Sequence, residues 1–247
     1  MTAESTTRRR TRLDRKFDKL RDAEEAGRLG KSKTSRAVRK MMENRLAVIG
    51  IVVFGIILLA CVLAPLISPY DPLTTDLRAM TQPPSLAHLF GTDKLGRDVF
   101  TRTLYGGRLS ILIGLGSALG AAVIGVLLGC YGGYKGGLFD KIVLRLSEIF
   151  MSFPQLILVM MLGTIFGRGL WNLIFIFILT GWGGVYRQAR AKMLSLREEE
   201  YVQSMRAFGL SDMVIAYKHM LPNAVGPVVV NLTLATAMFI LDEAAMS

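Results

Sequence analysis

The chain has 247 residues, of which 51% are hydrophobic, and its mean hydropathy of +0.41 is higher than that of an ordinary soluble domain. Of its 30 Lys and Arg residues, 15 lie in positions 1–45 against seven acids there, so this segment carries +8 of the net charge of +11. These values exclude a small disulfide-rich secreted protein and most soluble enzymes, and they leave nucleic-acid binding or membrane insertion.

Positions 1–45 form a basic tail. They contain one aromatic residue and no recognition module, which argues against nucleic-acid binding. Leu13, Phe17 and Leu20 form a short helical stripe among Lys and Arg, which would suit a surface helix on anionic lipid headgroups. The alternative is a solvated tail that only fixes the orientation of the chain in the membrane.

Five apolar runs are long enough to cross a bilayer, which requires about 20 residues of helix. They are residues 46–67, 110–131, 149–166, 170–186 and about 225–241. Pro154 lies in the third run and predicts a kink, and Trp171 and Tyr186 flank the fourth as interfacial anchors would. The sequence therefore predicts an all-α polytopic membrane protein, with the transmembrane domain over 46–247.

The positive-inside rule places the basic tail in the cytoplasm. Alternation of the spans then places 68–109 outside and 132–148 and 187–224 inside. Cys61 falls near the outer face and Cys130 near the inner face, so we expect no disulfide between them. The sequence has no CxxC pair, no Cys/His cluster of metal-ligand spacing and no catalytic triad.

The second run carries a helix-packing signal. Small residues recur every four positions at Ser117, Ala121, Gly125, Gly129 and Gly133. Such a face allows another backbone to approach closely, which favours a helix buried in a bundle. The alternative is the general abundance of glycine in membrane helices.

The chain is not expected to bind a nucleotide or another cofactor. Gly30-Lys31-Ser32 resembles the end of a phosphate loop, but Glu25 stands where the motif requires glycine, and no strand precedes it. We therefore expect that this chain does not hydrolyse ATP and is not an enzyme.

The inner segment 197–222 is too polar to span a membrane. Its acidic start favours a helix N-terminus, and Gly209 predicts the end of that helix. Ser211 and Asp212 can cap a second helix that Pro222 would end. This bent pair of helices suits docking of another protein, and the alternative is a capped surface hairpin without a partner.

This segment resembles the coupling loop of ATP-binding-cassette (ABC) importer permeases, whose pattern is Glu-Ala-Ala, three residues, Gly, nine residues, Ile-x-Leu-Pro. Aligned on Gly209, the Leu-Pro pair matches, whereas the triplet and the isoleucine differ. The corresponding residues are Gln203, Ser204, Met205, Gly209, His219, Leu221 and Pro222. Flanking residues are similar to those of the dipeptide and oligopeptide permease branch, namely Glu200, Tyr201, Val202 and Asn223.

Two further stretches carry the same resemblance, which covers about residues 45–247. One runs from 131 to 154 and includes Asp140 and Arg145, with Glu148 where Asp is usual. The other is an outer motif followed by Tyr105–Ser110, and its main residues are Gly91, Thr92, Asp93, Gly96, Arg97 and Asp98. We interpret 97–105 as an amphipathic helix at the outer interface. The motif either contacts an outer binding protein or is a self-contained turn.

The resemblance implies the type I ABC importer permease fold in the bacterial cytoplasmic membrane, with six spans of which five are visible. It also implies a second homologous permease subunit, an extracytoplasmic substrate-binding protein and two cytoplasmic ATPase subunits that bind ATP and Mg. Peptides are the implied substrate. Nickel or another small solute remains an alternative, as does a membrane scaffold or channel that is not coupled to ATP. The sequence does not assign substrate-binding residues, and we expect it to lack the sixth span.

Overall fold

The computed structural model describes residues 44–167 and 169–246. The interpretation of the basic tail, including Leu13, Phe17 and Leu20, lies almost entirely outside the described residues. Contacts divide the chain after Leu59 into two compact units. The described part of the first unit is most of one apolar helix, and the second unit contains the helical bundle that follows.

The regular structure of the described residues is helical. The α-helices are α1 (Arg45–Val62), α2 (Ala64–Ile67), α3 (Val99–Lys135), α4 (Gly137–Met151), α5 (Gln155–Phe166), α6 (Leu170–Arg197), α7 (Glu200–Ala207) and α8 (Leu221–Met246). A 3₁₀ turn covers Leu77–Ala79, and a π-helical segment covers Val214–Met220 and leads directly into α8. The all-α prediction is confirmed.

Four helices of the described residues are long and apolar enough to cross a membrane. They are α1, α3, α6 and the continuous helix Val214–Met246. Helices α4 and α5 meet at a bend of 91° and give a fifth span if they are counted as one broken span. The bend lies where the sequence predicts a kink, because Pro154 is the N-cap residue of α5.

Two predicted boundaries are wrong. Residues 99–105 are not a separate interfacial helix but the first turns of α3, which continues without a break to Lys135. The segment 197–222 is called the inner loop below, after its predicted side of the membrane. Pro222 does not end the second helix of this loop, because the chain continues helically into α8. The preceding π-helical turn, in which the Leu221 N–H donates to the Ala216 carbonyl, accommodates the ring of Pro222 and its missing N–H donor.

The small-residue face of α3 packs directly on the backbone of α6. A Cβ atom added at Gly125 would lie 2.8 Å from the Trp182 carbonyl oxygen, and one at Gly129 would lie 2.7 Å from that of Tyr186. Gly133 approaches the carbonyl of Arg190 in the same way. Ser117 and Ala121 on this face are also buried, so the prediction of a helix buried in a bundle is confirmed.

Helix α8 closes the other side of the bundle through aromatic and aliphatic contacts. The rings of Phe177 on α6 and Phe239 on α8 stack with centroids 5.0 Å apart. Gly114 on α3 lies against Ile240, and the ring of Phe239 also covers Gly181. The polar groups described in the next subsection lie near the two ends of α3.

Replacing Gly129 by valine should destabilise the chain, because the new side chain would collide with the α6 backbone. Overpacking of this kind costs about 1–3 kcal/mol. Gly184→Val is the matched control, because Gly184 is also helical but has open space around its Cβ position. We expect a lower thermal unfolding midpoint in detergent for Gly129→Val alone, and equal midpoints for both variants would contradict the packing.

Candidate functional site

The first helix of the inner loop, α7, ends in a glycine C-cap. The N–H of Gly209 donates to the carbonyl of Arg206 at 2.9 Å, and the N–H of Leu210 donates to that of Met205 at 3.2 Å. Gly209 has φ +75°, a left-handed conformation in which a Cβ atom is strained. The predicted helix end at Gly209 is confirmed.

A tyrosine in the last turn of α3 holds both halves of this loop. The Tyr134 hydroxyl donates to Asp212 Oδ1 and accepts from Arg206 Nε, each at 3.0 Å. The Arg206 guanidinium also lies 4.7 Å from the centroid of the Tyr134 ring. Asp212 therefore anchors the loop to α3, whereas the sequence had predicted it as a helix cap.

A hydrophobic cluster beneath the loop joins it to α3 and α6. The Tyr217 hydroxyl donates to the Leu127 carbonyl at 2.9 Å and adds a further tie to α3. The buried members of the cluster are Cys130, Tyr134, Met193, Leu196, Val202, Ile215, Ala216, Met220 and Ala224. Because so many of its side chains are buried against the two long helices, the loop is held as part of the bundle.

The opposite side of the loop exposes apolar side chains. Phe208 is 84% exposed and Met213 is 55% exposed, and the side chains of Tyr201, Leu210 and Val214 are also exposed. These five residues are called the apolar edge below. Several exposed apolar side chains on one polar loop are typical of a protein interaction surface.

The other predicted loop residues lie around this edge. Met205 and Leu221 pack against the buried cluster. Gln203 donates to the Glu198 carbonyl at 3.2 Å, and the Ser204 hydroxyl donates to the Glu200 carbonyl at 2.9 Å. Asn223 donates to the His219 carbonyl at 3.0 Å, and Pro222 is exposed. The structure brings these residues together on one loop, and their role in coupling stays a prediction.

A partly buried ion pair links α4 to α6, and sequence reasoning missed it. Arg190 binds both carboxylate oxygens of Asp140, with Nε 2.6 Å from Oδ1, and the Tyr186 hydroxyl donates to Oδ1 at 2.8 Å. The sequence pointed to Asp140 only through the resemblance, and nothing in it pointed to a pairing with Arg190. Arg145 and Glu148, three residues apart on α4, form an exposed ion pair at 2.8 Å.

At the N-terminal end of α3, Asp93 organises the motif that precedes the helix. Its carboxylate accepts from the backbone N–H groups of Leu95 and Arg97 at 2.8 and 3.0 Å. It also accepts from the side chains of Arg97 and Arg102 at 2.8 and 3.0 Å. Gly96 has φ +71° and lies against the Asp76 carbonyl, so no larger residue fits there.

Asp98 caps α3. Its Oδ2 accepts from the N–H and hydroxyl of Thr101 at 2.7 and 2.6 Å, and its Oδ1 lies 3.0 Å from Nδ1 of His88. The Thr92 hydroxyl bonds the Ala79 carbonyl, and Gly91 has φ +73°. This network of hydrogen bonds and ion pairs fixes where α3 begins.

Hydrogen bonds within the motif lower the pKa of both carboxyl groups. Desolvation raises the pKa of Asp93, but hydrogen bonds from the Arg97 and Leu95 N–H groups and the charge of Arg97 outweigh it and lower the pKa to about 2. Burial likewise raises the pKa of Asp98, but the two hydrogen bonds from Thr101 and the contact with His88 bring it below its usual range.

Comparison with known proteins identifies the family. Residues 110–247 match the binding-protein-dependent transport system inner membrane component, and residues 32–84 match the N-terminal TM domain of oligopeptide transport permease C. The oligopeptide transport system permease protein OppC of Bacillus subtilis (strain 168) is 37% identical over 226 residues, 92% of this chain and 74% of that protein.

Two other relatives agree with this assignment. The dipeptide transport system permease protein DppC of B. subtilis is 37% identical over 230 residues, covering 93% of this chain and 72% of the relative. DppC of Alkalihalophilus pseudofirmus is 34% identical over 210 residues, covering 85% and 69%. The chain belongs to the family of binding-protein-dependent transport system inner membrane components and is a multi-pass inner-membrane protein, which confirms the resemblance.

Asp93→Asn should lower the thermal unfolding midpoint at pH 7. Because the pKa of Asp93 is lowered on folding, its contribution to stability is present above pH 3.8 and is lost as the pH falls towards 2. The difference between the wild type and Asp93→Asn should therefore shrink between pH 4 and about pH 2. A difference that stays constant over this range would contradict the assigned role of Asp93.

Proposed function

We propose that this chain is a permease subunit of an ATP-driven ABC importer that moves peptides across the cytoplasmic membrane. The names of the relatives support the substrate class. In this proposal the chain works with a second homologous permease, two cytoplasmic ATPase subunits and an extracytoplasmic substrate-binding protein. ATP and Mg bind to the ATPase subunits, and this chain contributes no catalytic residue and binds no cofactor.

The observation that carries the coupling proposal is the two-sided construction of the inner loop. One side is buried against α3 and α6, and the other side presents the apolar edge. A force applied to the edge would therefore act on two membrane-spanning helices at once. The loop lies on the cytoplasmic side in this proposal, because the positive-inside rule places the basic tail there.

The outer motif is proposed to face the substrate-binding protein. Its polar groups bond to each other and to the start of α3, so its own contacts do not require a partner. The position of the motif supports the proposal. A protein bound to the motif would contact the start of α3, and the last turn of α3 holds the inner loop.

Phe208→Ser should weaken docking of the ATPase subunits, because it removes the most exposed side chain of the apolar edge. We expect at least tenfold less ATPase to co-purify with the permease, as for loss of an interface anchor worth about 2 kcal/mol. Leu86→Ser is the matched control, because Leu86 is fully exposed on the outer loop. Unchanged ATPase recovery with Phe208→Ser would contradict the proposal that the ATPase subunits dock on the apolar edge.

Gly209→Ile should abolish ATP-dependent uptake while leaving membrane insertion intact. A β-branched residue at φ +75° is strained although space is open around Gly209, so the end of α7 must rearrange. Gly209→Asn is the control, because asparagine tolerates the left-handed conformation, and it should retain most uptake. Uptake is measured with trialanine in proteoliposomes containing all subunits, and normal uptake by Gly209→Ile would refute the coupling role.

A further inference from the structure

A cavity of about 690 Å³ lies between α5, α6 and α8. Its lining includes Val159, Met160, Thr164, Leu173, Glu243 and Met246. The volume falls within the usual range of small-molecule sites, about 300–1,000 Å³. Most of the wall is apolar, and Glu243 is the acidic side chain among its lining residues.

The cavity lies at the outer end of the spans. Glu243 accepts a hydrogen bond of 2.6 Å from the hydroxyl of Ser110, which is the first residue of the apolar run of α3. Thr164 and Gly167, which also line the cavity, are at or just beyond the outer end of α5. In the proposed topology the cavity therefore lies on the side from which a solute arrives.

Glu243 lacks a counter-charge in the part of the chain that the structure describes. Its recorded partner is the neutral hydroxyl of Ser110, which occupies one carboxylate oxygen and leaves the other for a ligand. An acidic side chain at the edge of the hydrocarbon region is costly, and such residues face cavities or cationic partners. A cationic group that enters the cavity would therefore meet this carboxylate without a competing cation from the described residues.

The chemistry of the wall favours an ammonium group over a metal ion. Divalent cations take several oxygen or nitrogen ligands, whereas the described residues contain no group of three His, Cys, Asp or Glu side chains that could hold one. An ammonium needs a carboxylate and one or two further acceptors. The Thr164 hydroxyl donates to the Met160 carbonyl at 3.0 Å, which leaves its oxygen as such an acceptor.

We propose that this cavity receives the protonated amino terminus of the peptide, with Glu243 as its counter-charge and the apolar wall against the first side chain. This inference rests on the proposed function. A free amino terminus is mostly protonated at neutral pH, since its usual pKa is about 7.7–8.0. A peptide carboxylate would be repelled, so the cavity also sets the orientation in which the peptide enters.

The test uses the complete transporter in nanodiscs without the binding protein, so that recognition by that protein does not contribute. Binding of trialanine and of N-acetyl-trialanine is measured by saturation-transfer-difference NMR. Glu243→Gln should weaken trialanine about tenfold or more, as expected for loss of a charge-assisted hydrogen bond, and should leave the acetylated peptide unchanged. Asp242→Asn is the matched control, because this neighbouring acid does not line the cavity, and it should bind both as the wild type does.

A second variant keeps the test independent of the Glu243 side chain. Gly163 lines the cavity and has open space around its Cβ position, so Gly163→Val fills the cavity without a clash. It should weaken trialanine binding while leaving Glu243 in place. Equal binding of trialanine by the wild type and Glu243→Gln, or an equal loss of both peptides in Glu243→Gln, would overturn the subsite.

The subsite and the proposed function fail in different ways. ATP-dependent uptake of trialanine by the wild-type transporter with its binding protein supports the proposed function. If Glu243→Gln then binds trialanine as the wild type does, only the proposed subsite is wrong. If the wild-type transporter takes up no peptide with ATP, both fall together.

Discussion

The close contact between the α3 and α6 backbones is the constraint on which the rest of the structure depends. The glycines of α3 let α6 approach until its carbonyl groups lie where side chains would otherwise stand. In lipid, such contact replaces the hydrophobic effect as the source of helix association. It sets the inner end of α6 beside that of α3, and this proximity allows Tyr134 to hold Arg206 and Asp212 at once.

The two polar sites sit at opposite ends of this helix pair. The Asp93 and Asp98 network fixes the first turn of α3. At the last turn of α3, the hydrogen bonds of Tyr134 and the buried cluster hold the inner loop. Helix α3 has 37 residues and is therefore about 55 Å long at 1.5 Å per residue. One rigid element thus reaches from the outer motif to the apolar edge, which is the geometry that coupling between the two faces of a membrane requires.

Local rules account for much of this from sequence alone. The apolar runs, the four-residue spacing of small side chains and the helix end at Gly209 each depend on residues close in the chain. The Asp140–Arg190 pair and the partnership of Ser110 with Glu243 join residues 50 and 133 positions apart, which periodicity does not reveal. Pro222 was misread because a π-helical turn removes the clash that would end an ordinary helix.

The central claim is that the inner loop moves as one body with α3. It is tested most directly by electron–electron distance measurement between spin labels at Thr103→Cys and Lys218→Cys, both exposed positions outside the apolar edge, after Cys61→Ala and Cys130→Ala. The distance should be the same with and without a non-hydrolysable ATP analogue in the assembled transporter. A distribution that shifts or broadens when the nucleotide binds would show that the loop flexes on its own and would contradict the account.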